Sequence, residues 1–252
     1  MVYKILFSNI GYAKGIDGSL RHHLGLFGRH FYCARPVQEQ VLGQIRAVID
    51  AETPDLCCFV EIDRGGFHAA RFNQVDALMT DGKYKFHDIA CKYGNENWIS
   101  RMPLHEGKSN AFLALRETPF ERMYFTHGSK RLIYRLAVAG DIFIFFAHFS
   151  LQKKIRARQF AEMRRLIEQT PGRVIVLADF NVMNGFGELE PFLADSGLVL
   201  LNREGEHTFT FHNLNLALDL CICSESLVNN MDLKIISQPF SDHAALLVEV
   251  RN

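Results

Sequence analysis

Residues 173–181 read RVIVLADFN, an unbroken apolar run over 174–178 that stops on an acid, an aromatic and an amide. Pro171-Gly172 just before it is a turn signal, so the run has the length and punctuation of a buried strand. An ionised carboxylate such as Asp179 at the end of a buried strand costs free energy unless it is paired or holds a metal. If the backbone stays extended, Asp179 and Asn181 project to the same side and can hold one water and one phosphate oxygen together.

The same arrangement recurs along the chain. Asn9 follows an apolar run at 2–8, Glu61 follows 56–60, and His148 follows 142–147; Asp219 interrupts 214–223, and Asp242-His243 stands directly before 244–250. One shared site at the rim of the sheets accounts for all these placements. Between the runs, Val37, Val41, Ile45, Val48 and Ile49 recur at helical spacing over 36–52, with Pro36 suited to the first helical position. Ile155, Phe160, Met163, Leu166 and Ile167 do the same over 152–168, and a further helix is predicted over 67–79. Strands are predicted at 2–7, 55–60, 84–91, 111–116, 123–126, 132–138, 142–148, 173–178, 218–223, 232–236 and 244–250. Many strands with a few interspersed helices predict an α/β fold with two sheets face to face and helices outside, a four-layer sandwich.

The chain has 252 residues, 48% of them apolar. At that size folding removes roughly 70–75% of the unfolded surface from water. No linker-like stretch divides it, so residues 1–252 are read as one domain. Lys and Arg total 28 against 28 Asp and Glu, so affinity for a polyanion needs a local cluster of cations. The longest purely apolar run, 142–147, is far short of the ~20 residues that span a bilayer, and residues 1–13 lack the apolar region of a signal peptide. A cytosolic location is expected, with the six cysteines reduced and buried.

Carboxylate and amide oxygens suit a hard divalent ion such as Mg²⁺, with Mn²⁺ as a substitute, which neutralises phosphate charge. A carboxylate can take a proton from attacking water, and a histidine oriented by another carboxylate can stabilise charge on phosphoryl oxygens. At these residues the sequence resembles the endonuclease/exonuclease/phosphatase superfamily, the DNase I-like metal-dependent phosphoesterases. The resemblance runs in order through Phe7-Ser8-Asn9-Ile10, Val60-Glu61, Ala147-His148-Phe149, Ala178-Asp179-Phe180-Asn181, Leu218-Asp219 and Ser241-Asp242-His243. It implies that Glu61 is the principal Mg²⁺ ligand, with Asn9 and Asp242 close to the metal. Asp179 would activate water, Asn181 would hold the scissile phosphate, and His243, oriented by Asp219, would stabilise the transition state. His148 would be a second phosphate-facing histidine.

The chain departs from the family in two places: Ala178 stands where glycine is usual, and Leu218 and Leu220 flank Asp219 where nucleic-acid members carry an arginine and an aromatic. The segment 11–36 reads as an insertion, basic and aromatic, whose Arg21 and Arg29 are candidates for cradling a phosphorylated substrate or touching an anionic lipid surface. Lys130 and Arg131 are candidates for pointing at phosphate. The basic face of 152–168, which carries Arg156, is read as solvated. Trp98 is read either at the substrate entrance or as a core anchor. The expected activity is hydrolysis of a phosphate mono- or diester of a small molecule or phospholipid headgroup by an activated water. A metal-dependent nuclease is the alternative, and a catalytically silent binding module is a third reading.

Overall fold

The computed structural model describes residues 2–94 and 98–251; the Trp98 side chain lies outside what is described. One six-stranded sheet runs, in spatial order, β13 (Met231–Ile236), β14 (Ala245–Arg251), β1 (Val2–Asn9), β2 (Leu56–Asp63), β4 (Lys108–Ala114) and β3 (Phe86–Cys91). The other runs β5 (Phe120–Tyr124), β6 (Leu132–Ala139), β7 (Ile142–His148), β8 (Arg173–Asp179), β12 (Asp219–Ser224) and β9 (Leu198–Leu200). A short hairpin, β10 (Phe209–Phe211) and β11 (Leu214–Leu216), stands apart from both.

The layering follows from period-2 side-chain alternation in strands that are apolar on both faces. Ile5, Phe7, Leu56, Cys58, Phe146, Leu177 and Cys221 fill the space between the sheets. Their sequence neighbours Leu6, Cys57 and Phe59 point the other way, against Val41, Leu42, Ile45 and Ile49 of α2 (Arg35–Glu52). Phe145, Val176 and Ala178 likewise pack on Phe160 and Met163 of α4 (Lys153–Glu168). The predicted four-layer sandwich is therefore the observed architecture. All six cysteines are free and buried; Cys57 and Cys58, adjacent on β2, face opposite layers.

Two local expectations are corrected. The helix predicted over 67–79 is a turn at Phe67–Ala69 followed by a short α3 (Gln74–Leu78). Ala70 and Arg71 break it with left-handed φ of 54° and 57°, and the Asn73 side chain caps the second piece. Arg156 is buried: its guanidinium donates to the Ser150 and Leu151 carbonyls and pairs with Glu188, tying the turn after β7 to the helix below it. Within the insertion, α1 (Leu20–Gly25) forms, with Ser19 capping its N-terminus.

Candidate active site

Two β-α-β crossovers set the site. β1 and β2 are parallel neighbours joined through α2, and β7 and β8 are parallel neighbours joined through α4. Parallel strands finish at the same edge, so Asn9, Glu61, His148 and Asp179 arrive together at one rim. β12 and β14 run antiparallel to β8 and β1, and they bring Asp219 and the residues just before Ala245 to that rim. His148, Asp179 and Asp219 sit opposite one another in register on three adjacent strands, so their side chains leave the same face of the sheet.

The contacts are continuous. Glu61 Oε1 lies 3.7 Å from His148 Nδ1, and His148 Nε2 lies 3.0 Å from Asp179 Oδ2. Asn9 Nδ2 donates to that same Oδ2 at 3.1 Å and lies 3.4 Å from His243 Nε2. His243 Nδ1 meets Asp219 Oδ2 at 2.6 Å. Behind this floor the Thr208 hydroxyl accepts from the Leu218 and Asp219 amides, and the Ser241 hydroxyl donates to the Asn9 carbonyl. Asp179 and Asp219 are sealed at 1% and 0% exposure, whereas His243 keeps 8% and the Glu61 side chain 21%. A ligand from solvent therefore meets Glu61 and His243 first. A cavity of about 350 Å³, lined by Asp17, Thr208, Phe209, Thr210, Asp242 and His243, adjoins the His243 side of the site.

The charges are divided. Burial would raise the Asp179 carboxyl, but His148, His243 and Lys130 outweigh it and hold it below the usual carboxylate range. Burial would lower His243, yet Asp219, Asp179 and Asp242 around it hold the imidazole above its ordinary value. His148 is pushed down to about 4 by burial and by Lys130, whose ammonium lies against its Nε2. The site thus holds an ionised carboxylate, a neutral imidazole and a cationic one within hydrogen-bond reach of each other.

Glu61 reaches the mouth through a backbone irregularity. The β2–β4 register shifts between Phe59 and Ile62, and Glu61 has a left-handed φ of 54°. Strict alternation would send its side chain with Phe59 beneath α2; the bulge redirects it while Val60 and Ile62 stay fully buried. A non-glycine residue in that conformation costs about 1–2 kcal/mol, which the packing on either side sustains.

Asn181 departs from the extended geometry read from the sequence. β8 ends at Asp179, and Asn181 takes φ 54°, with its amide N–H on Asp179 Oδ1 and its side-chain amide donating to the Phe149 carbonyl. Arg29 spends its guanidinium on the Lys14 carbonyl at 2.9 Å, and Arg131 donates to the Phe125 carbonyl. Arg21 is exposed on α1. The insertion nevertheless borders the site: Gly18, at φ +80°, packs so tightly that a Cβ would fall 2.0 Å from the Thr210 carbonyl and 3.2 Å from Asp242 Cβ. What the motif pattern missed is the Glu61 surround, namely Tyr12 and Lys92, with Lys108 and Lys14 beyond them. Lysines scattered over three separate stretches of the chain carry no spacing signal.

The donors fit a hard divalent cation. Among the described residues no side chain hydrogen-bonds the Asp242 carboxylate, and burial together with the Glu61 charge raises its pKa, as expected of two acids left facing a common space. Ligand atoms of Asp179, Asp219 and His243 also lie within 4.8 Å of one another, and Asp219 Oδ1 is buried without a partner.

No family model matches the sequence, and neither does any curated protein. Solved structures do share the fold. An endonuclease/exonuclease/phosphatase from Beutenbergia cavernae is 15% identical, with 99% of this chain and 71% of that one covered at a TM-score of 0.68. TDP2 from D. rerio, complexed with a single-strand DNA product, is 13% identical over 100% and 99% of the two chains at 0.65. The human Nocturnin catalytic domain with a bound sulfate anion is 15% identical over 99% and 94% at 0.63. At such identities the likeness establishes the fold.

Proposed function

From the DNase I-like fold of the endonuclease/exonuclease/phosphatase superfamily and the charge division at its rim, we propose that this chain is a divalent-cation-dependent phosphodiesterase acting on nucleic acid. The observation that carries the reading is the unbroken sequence of contacts from Glu61 through His148, Asp179, Asn9 and His243 to Asp219. All eight polar groups singled out in the sequence are present, which leaves the silent binding module without support.

Asp179, kept ionised, takes the proton of a water directed at phosphorus, while Asn9 and His148 hold the carboxylate in place. His243, kept cationic and fixed by Asp219, donates from Nε2 to the charge that grows on the phosphoryl oxygens. Glu61, Asn9 and Asp242 would hold the cation, Mg²⁺ or Mn²⁺. When bound, the cation neutralises negative charge on the phosphate and leaving oxygen. Asn181, braced on Phe149, presents the rest of its amide toward the scissile phosphate.

The sequence reading favoured a phosphorylated small molecule or phospholipid headgroup. Two observations favour the nuclease alternative. Net charge is zero, yet Lys14, Lys92, Lys108 and Lys130 gather at this one mouth, the local cluster that polyanion affinity requires. TDP2 of the same fold is seen with single-strand DNA. Incubating the protein with single-stranded oligonucleotide and Mg²⁺ or Mn²⁺ should release shorter products, with cleavage falling steeply with salt and stopping on chelation. Intact oligonucleotide beside hydrolysed phosphomonoester or phospholipid would reject the reading.

A further inference from the structure

Tyr12 lies in the turn Gly11–Ala13 that follows β1, with φ 58° and its ring 3% exposed. Gln74 holds it there by donating to its carbonyl at 2.8 Å. Three ammonium groups surround that ring: Lys14 and Lys92 at 4.9 Å from its centroid and Lys108 at 5.1 Å. They come from the loop after β1, the end of β3 and the start of β4, so only tertiary structure brings them together. Lys92 also bonds the Tyr12 hydroxyl and lies 3.3 Å from Glu61 Oε1.

Glu61 is the acid in contact with this group of cations, through Lys92. Asp63, whose Oδ1 accepts from the Gly65 and Gly66 amides, offsets Lys108 in part, and Asp242 does the same for Lys14. The groups around the cage report local positive charge. Burial first, and then Lys92 and Lys14, lower Lys108; burial lowers Lys14, on which the Glu61 charge outweighs that of Lys92. His30, His68 and His105 are likewise lowered by burial and by these same lysines. A ring face attracts each cation by only about 1 kcal/mol, so three ammonium groups in contact with a single carboxylate still favour an added anion. Glu61 Oε1 is shared between Lys92 and His148, which places the cage immediately beside the hydrolytic centre.

Resting on the phosphodiesterase reading, we propose that Lys14, Lys92 and Lys108 form a second phosphate subsite that takes a terminal phosphomonoester of the nucleic-acid strand next to the scissile diester. Such an end carries close to two negative charges and three acceptor oxygens, matching three ammonium donors held around one ring. The enzyme would then act preferentially at phosphorylated strand ends.

The test reads binding without turnover, using the full chain in EDTA and fluorescent single strands that end in 5′-phosphate, 3′-phosphate or hydroxyl. Wild type should bind one phosphorylated strand at least about 10-fold tighter than the hydroxyl-ended strand. Lys14→Gln and Lys108→Gln should each reduce that preference to within about twofold, while Lys108→Arg retains it. Absence of a preference in wild type, or its survival in both glutamine variants, overturns the subsite. Circular dichroism excludes unfolding, and inorganic phosphate should compete with the phosphorylated strand more strongly for wild type than for either glutamine variant. A protein that discriminates ends in EDTA yet cleaves no diester with Mg²⁺ keeps the subsite and removes the hydrolase reading. Cleavage without discrimination does the reverse.

Discussion

The floor of the site and its lysine flank meet at Glu61 but are built on opposite terms. On the floor each of the two sealed acids has a designated partner: Asp219 has His243, and Asp179 has His148 and Asn9. On the flank three ammonium groups share one ring and one carboxylate. A balanced network holds its groups in fixed protonation states and is suited to moving a proton. An unbalanced one invites charge from outside and is suited to binding.

Breaking the floor should have the largest effect. Asp179→Asn or His243→Ala should lower kcat by about 10³-fold or more while the far-ultraviolet circular dichroism stays unchanged. Loss of less than about 10-fold on the true substrate would remove these residues from the chemistry. Glu61→Gln, at the seam, should lower activity about 10²-fold and raise the Mg²⁺ concentration needed for half-activity, which a metal titration reads.

The flank should respond to pH through binding. Burial pushes Lys108 and Lys130 down to about 8, so their positive charge is lost as pH rises through that value. Oligonucleotide affinity in EDTA should therefore weaken about 3- to 10-fold between pH 7 and pH 9 at fixed salt. A flat profile would show that the flank contributes little. The smallest effect is on stability. His68, buried against Tyr12, is lowered to about 4, below its unfolded value of about 6.5. Its contribution is fully present above about pH 6.5 and is lost as pH falls toward about 4, because the unfolded chain binds the proton first. The unfolding free energy from urea titration should fall across that window by about 1–3 kcal/mol more in wild type than in His68→Gln.

How much could be read beforehand varied with the range of the interactions involved. The helical spacing over 36–52 and 152–168 matches α2 and α4 within a residue, because one apolar stripe determines each and Pro36 fits the first turn of α2. The segment 67–79 failed because Ala70 and Arg71 are held left-handed by contacts that include the Arg71 amide on the Gly66 carbonyl. The strands β9, β10 and β11, each three residues long, offered no run to recognise. The extended geometry expected for Asn181 fails because the bend after Asp179 has no local signature beyond asparagine's tolerance of positive φ.

The both-faces-buried strands, the two long crossover helices and the polar residues that end the runs are legible in the chain alone, because alternation and periodicity are written in residues close along it. Tertiary structure alone decided that Glu61 turns out of β2 at a bulge instead of going under α2. It also decided that Lys14, Lys92 and Lys108 close around Tyr12. Both depend on which strands become neighbours and in what register, and that is set by the packing of the whole sandwich rather than by any local stretch.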